Sequence, residues 1–355
     1  MMLDLVCGAR PNFMKVDPVI RGLGGSVDTR LVHTGQHYDH AMSASFFAQL
    51  GLPEPDLNLE VGSSTVTVQT ARVMERYEEV LDPGRTSSVV VVGDVNSTLA
   101  CALVAVRYGI PVVHVEAGLR SRDRSMPEEI NRLLTDQMAD LLLITSPEAR
   151  DNLLAEGRPA DSIVMVGNPM IDTLLRLLPD AEEKGAPPPD EPYGMVTLHR
   201  PSNVDRPQRL AAILRSLGRI EGYRLLLPAH PRTEKSIARW GLADQLPADL
   251  EVCPPMDYLT FLRHQRHAGF VITDSGGIQE ETSVLGVPCV TVRPNTERPV
   301  TVEMGTNVLC PDPEGIPGAV ARQVAEVSGP AEIPMWDGGA GARIAEEIKR
   351  LLGGE

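Results

Sequence analysis

SVVVVGDVNSTLACALVAVRYGIPVVHVEA, residues 88–117, sets two apolar strands, SVVVVGD (88–94) and PVVHVEA (111–117), around the helical pattern STLACALVAVRYG (97–109). Each strand is a nearly continuous apolar run, not an alternation of apolar and polar residues, so it predicts burial on both faces. Strands of that kind joined through helices make a parallel sheet covered on both sides. Upstream the alternation extends through LDLVC (3–7), RLVHT (30–34) and the helical TVTVQTARVMERYEEVL (65–81); downstream it continues through LLLIT (141–145) and SIVMVG (162–167).

The pattern breaks at LPDAEEKGAPPPDEPY (178–193), where charge and proline cluster as in an interdomain linker. It resumes with GMVTLH (194–199), RLLLPA (224–229), LEVCPP (250–255), GFVITD (269–274), PCVTVR (288–293) and TNVLC (306–310). The final segment, ARIAEEIKRLL (342–352), is an amphipathic helix able to pack on either half. The expected architecture is therefore α/β: two doubly wound, Rossmann-like domains facing a central cleft, residues 1–178 and 179–340, with the helix 341–355 returning to the first. Ligands of such sheets sit beyond the carboxyl ends of the strands. A polar motif becomes a site candidate when it directly follows a strand.

Composition narrows the partners. At 355 residues the chain is long enough for two cores, and its 42% hydrophobic and 23% charged residues are those of a globular protein. A formal charge of −15 without a basic block argues against nucleic acid. No run approaches the ~20 apolar residues of a membrane span, and MMLDLVCGARPNF, with Asp4 and no basic start, reads as a strand and not a signal peptide. Five cysteines without paired spacing point to buried thiols in a reducing cytoplasm, not to disulfides or zinc.

Several motifs meet the strand-tip criterion. CGARPNFMK (7–15) puts Arg10 and Lys15 near a helix start, as a phosphate site would. TGQHYDH (34–40) and GDVNSTLA (93–100) follow their strands, the second with Asp94 at the tip. In HVEAGLRSRDRSMPEEINR (114–132), Glu116 ends a strand, where burial without a partner is costly. Glu128 and Glu129 are already explained by the dipole of the helix that Pro127 opens. His199 and Arg200, and likewise His230 and Arg232, end strands of the second half. TDSGGIQEET (273–282) offers Ser275 and bare glycine amides to an anion, while Glu281 suits the vicinal hydroxyls of a ribose. Arg298 in TERPV (296–300) suits a diphosphate. Together these read as a nucleotide site on the second domain.

In order along the chain, GARPNFMK, TGQHYD, GDVNST, HVEAGLRS, MPEEINR, GNPMID, LHR, PAHP, TDSGGIQEE and TERPV make the sequence resemble the non-hydrolysing UDP-N-acetylglucosamine 2-epimerases. The resemblance implies a glycosyltransferase-B type fold, a cytoplasmic homodimer, and no metal or nicotinamide cofactor. It assigns uridine diphosphate to Arg10, Lys15, Ser275, Gly276, Gly277, Glu281 and Arg298. Its catalytic residues fall on Asp94, Glu116, Glu128 and His199, which reverses the dipole reading of Glu128. Gln36, His37, Arg200 and His230 match further sugar or activator contacts. The implied chemistry eliminates the diphosphate to a glycal and adds it back with inversion at C2.

The chain departs from the family pattern in three ways. Ser202 stands where most members carry glutamate, and Asp39 and Ser63 stand where activator-regulated members carry glutamine and arginine. The shorter SMPEEINR spacing points to another branch, which includes epimerases of diacetamido uronic acids; Arg122 and Arg124 are the candidates to meet their carboxylate. A hydrolysing epimerase, a glycosyltransferase and an inactive UDP-sugar-binding paralogue are the competing readings.

Overall fold

The computed structural model describes residues 2–35 and 49–353, without the side chains of Arg10 and Pro11. The chain forms two compact units, Met1–Arg176 with Pro334–Glu355, and Leu177–Ile333. Among the described residues, no helix is long and apolar enough to cross a membrane.

Among its described residues the first unit holds seven parallel strands: β1 (Met2–Cys7), β2 (Asp28–His33), β3 (Leu57–Asn58), β4 (Thr86–Val92), β5 (Val112–Ala117), β6 (Leu141–Ile144) and β7 (Ile163–Met165). Their order is β3-β2-β1-β4-β5-β6-β7. The valines of β4 and β5 are buried on both faces, the outcome that their unbroken apolar runs predict. The two-residue β3 was not among the expected strands, being too short to show a period. The final helix, Ala340–Leu351, packs on the helix Arg10–Leu23.

The second unit repeats the plan with six strands, β8 (Tyr193–Thr197), β9 (Arg224–Pro228), β10 (Leu250–Cys253), β11 (Phe270–Thr273), β12 (Cys289–Thr291) and β13 (Asn307–Leu309). Their order is β10-β9-β8-β11-β12-β13. In both sheets the first strand lies beside the fourth, so the chain reverses its direction of travel there. That reversal opens a crevice at the carboxyl ends, between β1 and β4 in one sheet and β8 and β11 in the other.

One expectation needs correction. The first half of the supposed linker 178–193 is helical, because the helix Pro169–Lys184 runs on through Pro179. An internal proline costs a helix about 3 kcal/mol. Leu174, Leu177 and Ala181 on one face are buried, and that burial offsets the penalty. Of the five thiols, Cys7, Cys101, Cys289 and Cys310 are buried and Cys253 is half-buried, all unbridged.

Candidate active site

The carboxyl ends of β1, β4 and β5 gather the polar residues of the first unit. Asn12, in the first turn of the helix Arg10–Leu23, accepts from the amides of Gly8 (3.3 Å) and Ala9 (3.1 Å) and donates to Val92 O at 2.8 Å. This ties the loop after β1 to the end of β4 and aims the next turn of the helix at β5. Lys15, one turn on, thus reaches Glu116 and forms a buried ion pair with it.

Glu116 is held unusually. Its φ is +71°, and the β5–β6 register shifts between Val115 and Ala117. It is a bulged residue in the left-handed region, which costs a side-chain-bearing residue about 1–3 kcal/mol. The bulge aims its carboxylate at the β4 tip. Gly93, itself at φ +69°, leaves the room: a Cβ there would lie 3.2 Å from Glu116 Oε2 and 3.3 Å from Lys15 Nζ.

Asp94 follows immediately and pairs with the buried Arg132. The other arm of Arg132 reaches Glu129 at 2.9 Å. Glu129, unassigned from sequence, accepts from Ser121 N (2.9 Å), Ser121 Oγ (3.0 Å) and Arg122 N (2.8 Å), so it shapes the loop that follows β5. Glu128 is half-buried in the first turn of the same helix, Pro127–Met138. Asn131 donates to Asp94 O at 2.8 Å.

Behind this row lies a buried network. His114 puts Nε2 2.8 Å from Gly93 O and Nδ1 2.7 Å from Asp136 Oδ1. Asp136 Oδ2 accepts from Gly118 N at 3.0 Å and pairs with Arg120 at 2.7 Å. Burial alone pushes the Asp136 carboxyl up, but the His114 ring and the Arg120 guanidinium outweigh it and hold it below the ordinary aspartate value. Arg120, also bound to Glu156 at 2.6 Å, is therefore structural. Arg122 is exposed, with Nη2 bonded to Asn152 at 2.8 Å, and Arg124 is exposed.

In the second unit the centre is Asp274 at the β11 tip, fully buried. It accepts from the amides of His199 (3.1 and 3.2 Å) and Arg200 (3.0 Å) and from Asn203 Nδ2 (3.1 Å). His199 Nδ1 lies 2.8 Å from Asp274 Oδ1, while the ring keeps 40% of its side-chain exposure and faces His230 at 5.7 Å between centroids. Burial raises the Asp274 carboxyl; its bond to His199 and the other donors more than reverse this and leave it below the ordinary value.

Ser275 caps the helix Gly276–Leu285 without bonding its own side chain to the helix end. A Cβ on Gly276 would stand 2.6 Å from Glu297 Oε1, so any larger residue there would displace the Glu297 carboxylate. Glu297 is held by Arg293 at 2.6 Å, with Arg200 at 3.5 Å. Arg298 pairs with Glu280 at 2.6 Å. Glu281 is buried and accepts from Tyr258 OH at 3.1 Å; burial pushes its carboxyl up to about 7.

Within the first unit the structure brings Asp94 and Glu116 to adjacent strand tips, with Lys15 of the helix Arg10–Leu23 against Glu116; within the second it gathers His199, Arg200, His230 and the Ser275 loop. Gln36, His37 and Asp39 lie outside the described residues, as does the side chain of Arg10. Ser63 and Ser202 are exposed. Sequence reasoning missed Asn12, Arg132, Asp136 and Asp274. Only Asp274 carried a signal, as an aspartate at a strand tip like Asp94.

A family model described as UDP-N-acetylglucosamine 2-epimerase matches residues 24–349. A UDP-N-acetylglucosamine 2-epimerase of Methanocaldococcus jannaschii is 42% identical over 325 residues, 88% of this chain and 89% of its own. The UDP-2,3-diacetamido-2,3-dideoxy-D-glucuronate 2-epimerase of Pseudomonas aeruginosa is 38% identical over 358 residues, 99% of this chain and 100% of its own. The crystal structure of the M. jannaschii UDP-GlcNAc 2-epimerase with UDP-GlcNAc and UDP superposes with a TM-score of 0.91 at 39% identity, covering 99% of this chain and 100% of the other. Two doubly wound sheets with charged strand tips, a match to the family model over most of the chain and relatives alike from end to end agree: the chain belongs to the UDP-N-acetylglucosamine 2-epimerases, a family of isomerases.

Proposed function

We propose that the chain interconverts UDP-N-acetylglucosamine and UDP-N-acetylmannosamine without hydrolysing them. The C2 proton is not activated by a carbonyl, so direct deprotonation would be slow. Elimination avoids this: a base removes the C2 proton, the C1–oxygen bond to the diphosphate breaks, and UDP leaves a glycal. Return of UDP to C1, with a proton delivered to the other face of C2, gives the epimer. Two acid–base groups and a cationic cradle for the leaving diphosphate are needed.

The observation that carries this reading is Glu116, bulged at φ +71° and paired with Lys15 beside Asp94. Strain of this kind at a charged strand tip is the usual mark of a functional group. Asp94, Glu116 and Glu128 divide the proton transfers in this proposal, with His199 assisting. Arg10, Lys15, Arg298 and the glycine amides after Ser275 hold the diphosphate, and Glu281 takes the ribose hydroxyls. Gln36, His37, Arg200 and His230 supply further sugar contacts. The homodimer belongs to the same proposal, and a solution mass of two chains checks it.

The test is the reaction run in D2O with UDP-N-acetylglucosamine and followed by NMR. Deuterium at C2 of a UDP-N-acetylmannosamine product is expected. Epimer without deuterium refutes the elimination, and free N-acetylmannosamine with UDP makes the enzyme hydrolysing. A second reading, a diacetamido uronic acid substrate, is favoured by the end-to-end likeness to the Pseudomonas aeruginosa relative and by exposed Arg122 and Arg124. Faster exchange with that UDP-uronate than with UDP-N-acetylglucosamine supports it.

A further inference from the structure

We propose that Asp136 is a positioning residue for Glu116: it ties down the chain on both sides of the bulge and so holds the Glu116 carboxylate in its working place. The inference rests on the proposed C2 epimerisation.

The geometry is specific. Oδ1 of Asp136 meets the ring of His114, two residues before Glu116, at 2.7 Å. Oδ2 accepts from the amide of Gly118, two residues after Glu116, at 3.0 Å, and pairs with Arg120 at 2.7 Å. One carboxylate therefore bridges positions 114, 118 and 120 around a residue in the left-handed region. His114 carries the tie onward, since its Nε2 lies 2.8 Å from Gly93 O, the residue whose missing side chain makes room for Glu116. His114 and Asp136 are fully buried and Arg120 is nearly so, so none of the three is available to a substrate. An unfavourable backbone conformation persists only when its surroundings over-determine it. Lys15 restrains the Glu116 side chain, and the Asp136 bridge restrains its backbone.

Positioning predicts a defect in the chemical step with nucleotide binding spared, because the partners of Asp136, His114, Gly118 and Arg120, are not among the groups proposed for UDP. The experiment compares Asp136→Ala and the isosteric Asp136→Asn with wild type in C2 exchange, UDP affinity and thermal melting. Asp136→Ala removes the bridge, and misplacing a reacting group by about 1 Å costs about 100-fold. A kcat loss of that order is expected, with UDP affinity within about threefold of wild type. Asp136→Asn keeps an oxygen for the Gly118 amide but removes the negative charge that pairs with Arg120, and a smaller loss, about tenfold, is expected.

If Asp136→Ala does not fold, Asp136→Asn decides. A folded variant with kcat within threefold of wild type overturns the inference, as does UDP affinity falling in parallel with kcat. Wild-type protein that forms no C2 epimer from either UDP-sugar overturns the epimerisation itself, and the positioning role with it. Wild-type exchange matched by the variants overturns the positioning role alone.

Discussion

Lys15 and Glu116, 101 residues apart in the chain, form a buried ion pair across the tips of β1 and β5. Each is on an element whose own sequence says nothing of the other. The pair exists because β4 alone separates β1 from β5, and because a glycine at its tip leaves the space between them.

Lys15→Met leaves a buried carboxylate without its cation. Breaking such a pair from one side costs about 3–5 kcal/mol. Urea unfolding should show a loss of this order, and C2 exchange should fall with it. A variant as stable as wild type would mean that the Glu116 carboxylate is better solvated than its burial indicates.

Gly93→Ala should be harmful through sterics alone. It forces a side chain into φ +69°, which costs about 1–2 kcal/mol, and puts a methyl group against both partners of the pair. Circular dichroism melts should drop, and exchange at C2 should slow by about tenfold or more. Unchanged kinetics would separate the loop conformation from the chemistry.

Asp274 has its folded value held below the ordinary 3.8. The unfolded chain therefore takes up a proton at higher pH than the folded one. The stabilisation is complete above 3.8 and is lost as pH falls through the lower, folded value. Asp274→Asn should be less stable than wild type at pH 7, by about 1–3 kcal/mol for donors left unmatched. Its stability should also change less between pH 5 and 3. Parallel acid curves for the two proteins would contradict this.

Glu281 works in the opposite sense. Its carboxyl is raised from 4.5 to about 7 by burial, so the folded protein keeps a proton that the unfolded chain has released. Stability contributed by this group falls as pH rises from 4.5 to about 7 and is then constant. Glu281→Gln should flatten that fall. If the ionised carboxylate accepts the ribose hydroxyls, UDP affinity should rise through pH 7 in wild type beyond any rise in the variant, and calorimetry at pH 6 and 8 measures it.

The alternation of strands and helices, and the tips where polar motifs fall, were legible in the chain because both are short-range properties. Periodicity and β-branched runs are written within a dozen residues, and twelve of the thirteen strands among the described residues follow expected runs to within two residues at each end. The two-residue β3 was invisible for the same reason. The helical start of the 178–193 segment was misread because the proline there is outvoted by apolar residues of the same helix, Leu174, Leu177 and Ala181, whose burial no local pattern shows. Asp94, Glu116 and His199 stood out as charged or titratable groups ending apolar strands.

The sequence by itself thus determined the fold class and most of the residues at the strand tips. It left Glu129 without a role and gave Asp136 no mark at all. Only the tertiary structure decided which carboxylates are held ready and which brace the frame: Glu129 clamps the loop after β5, Asp136 bridges the bulge, and Asp274 anchors His199. The reason is physical. A carboxylate's part is set by the charges and amides packed against it, and those arrive from strands and helices whose neighbours are chosen by sheet order, which no local pattern encodes.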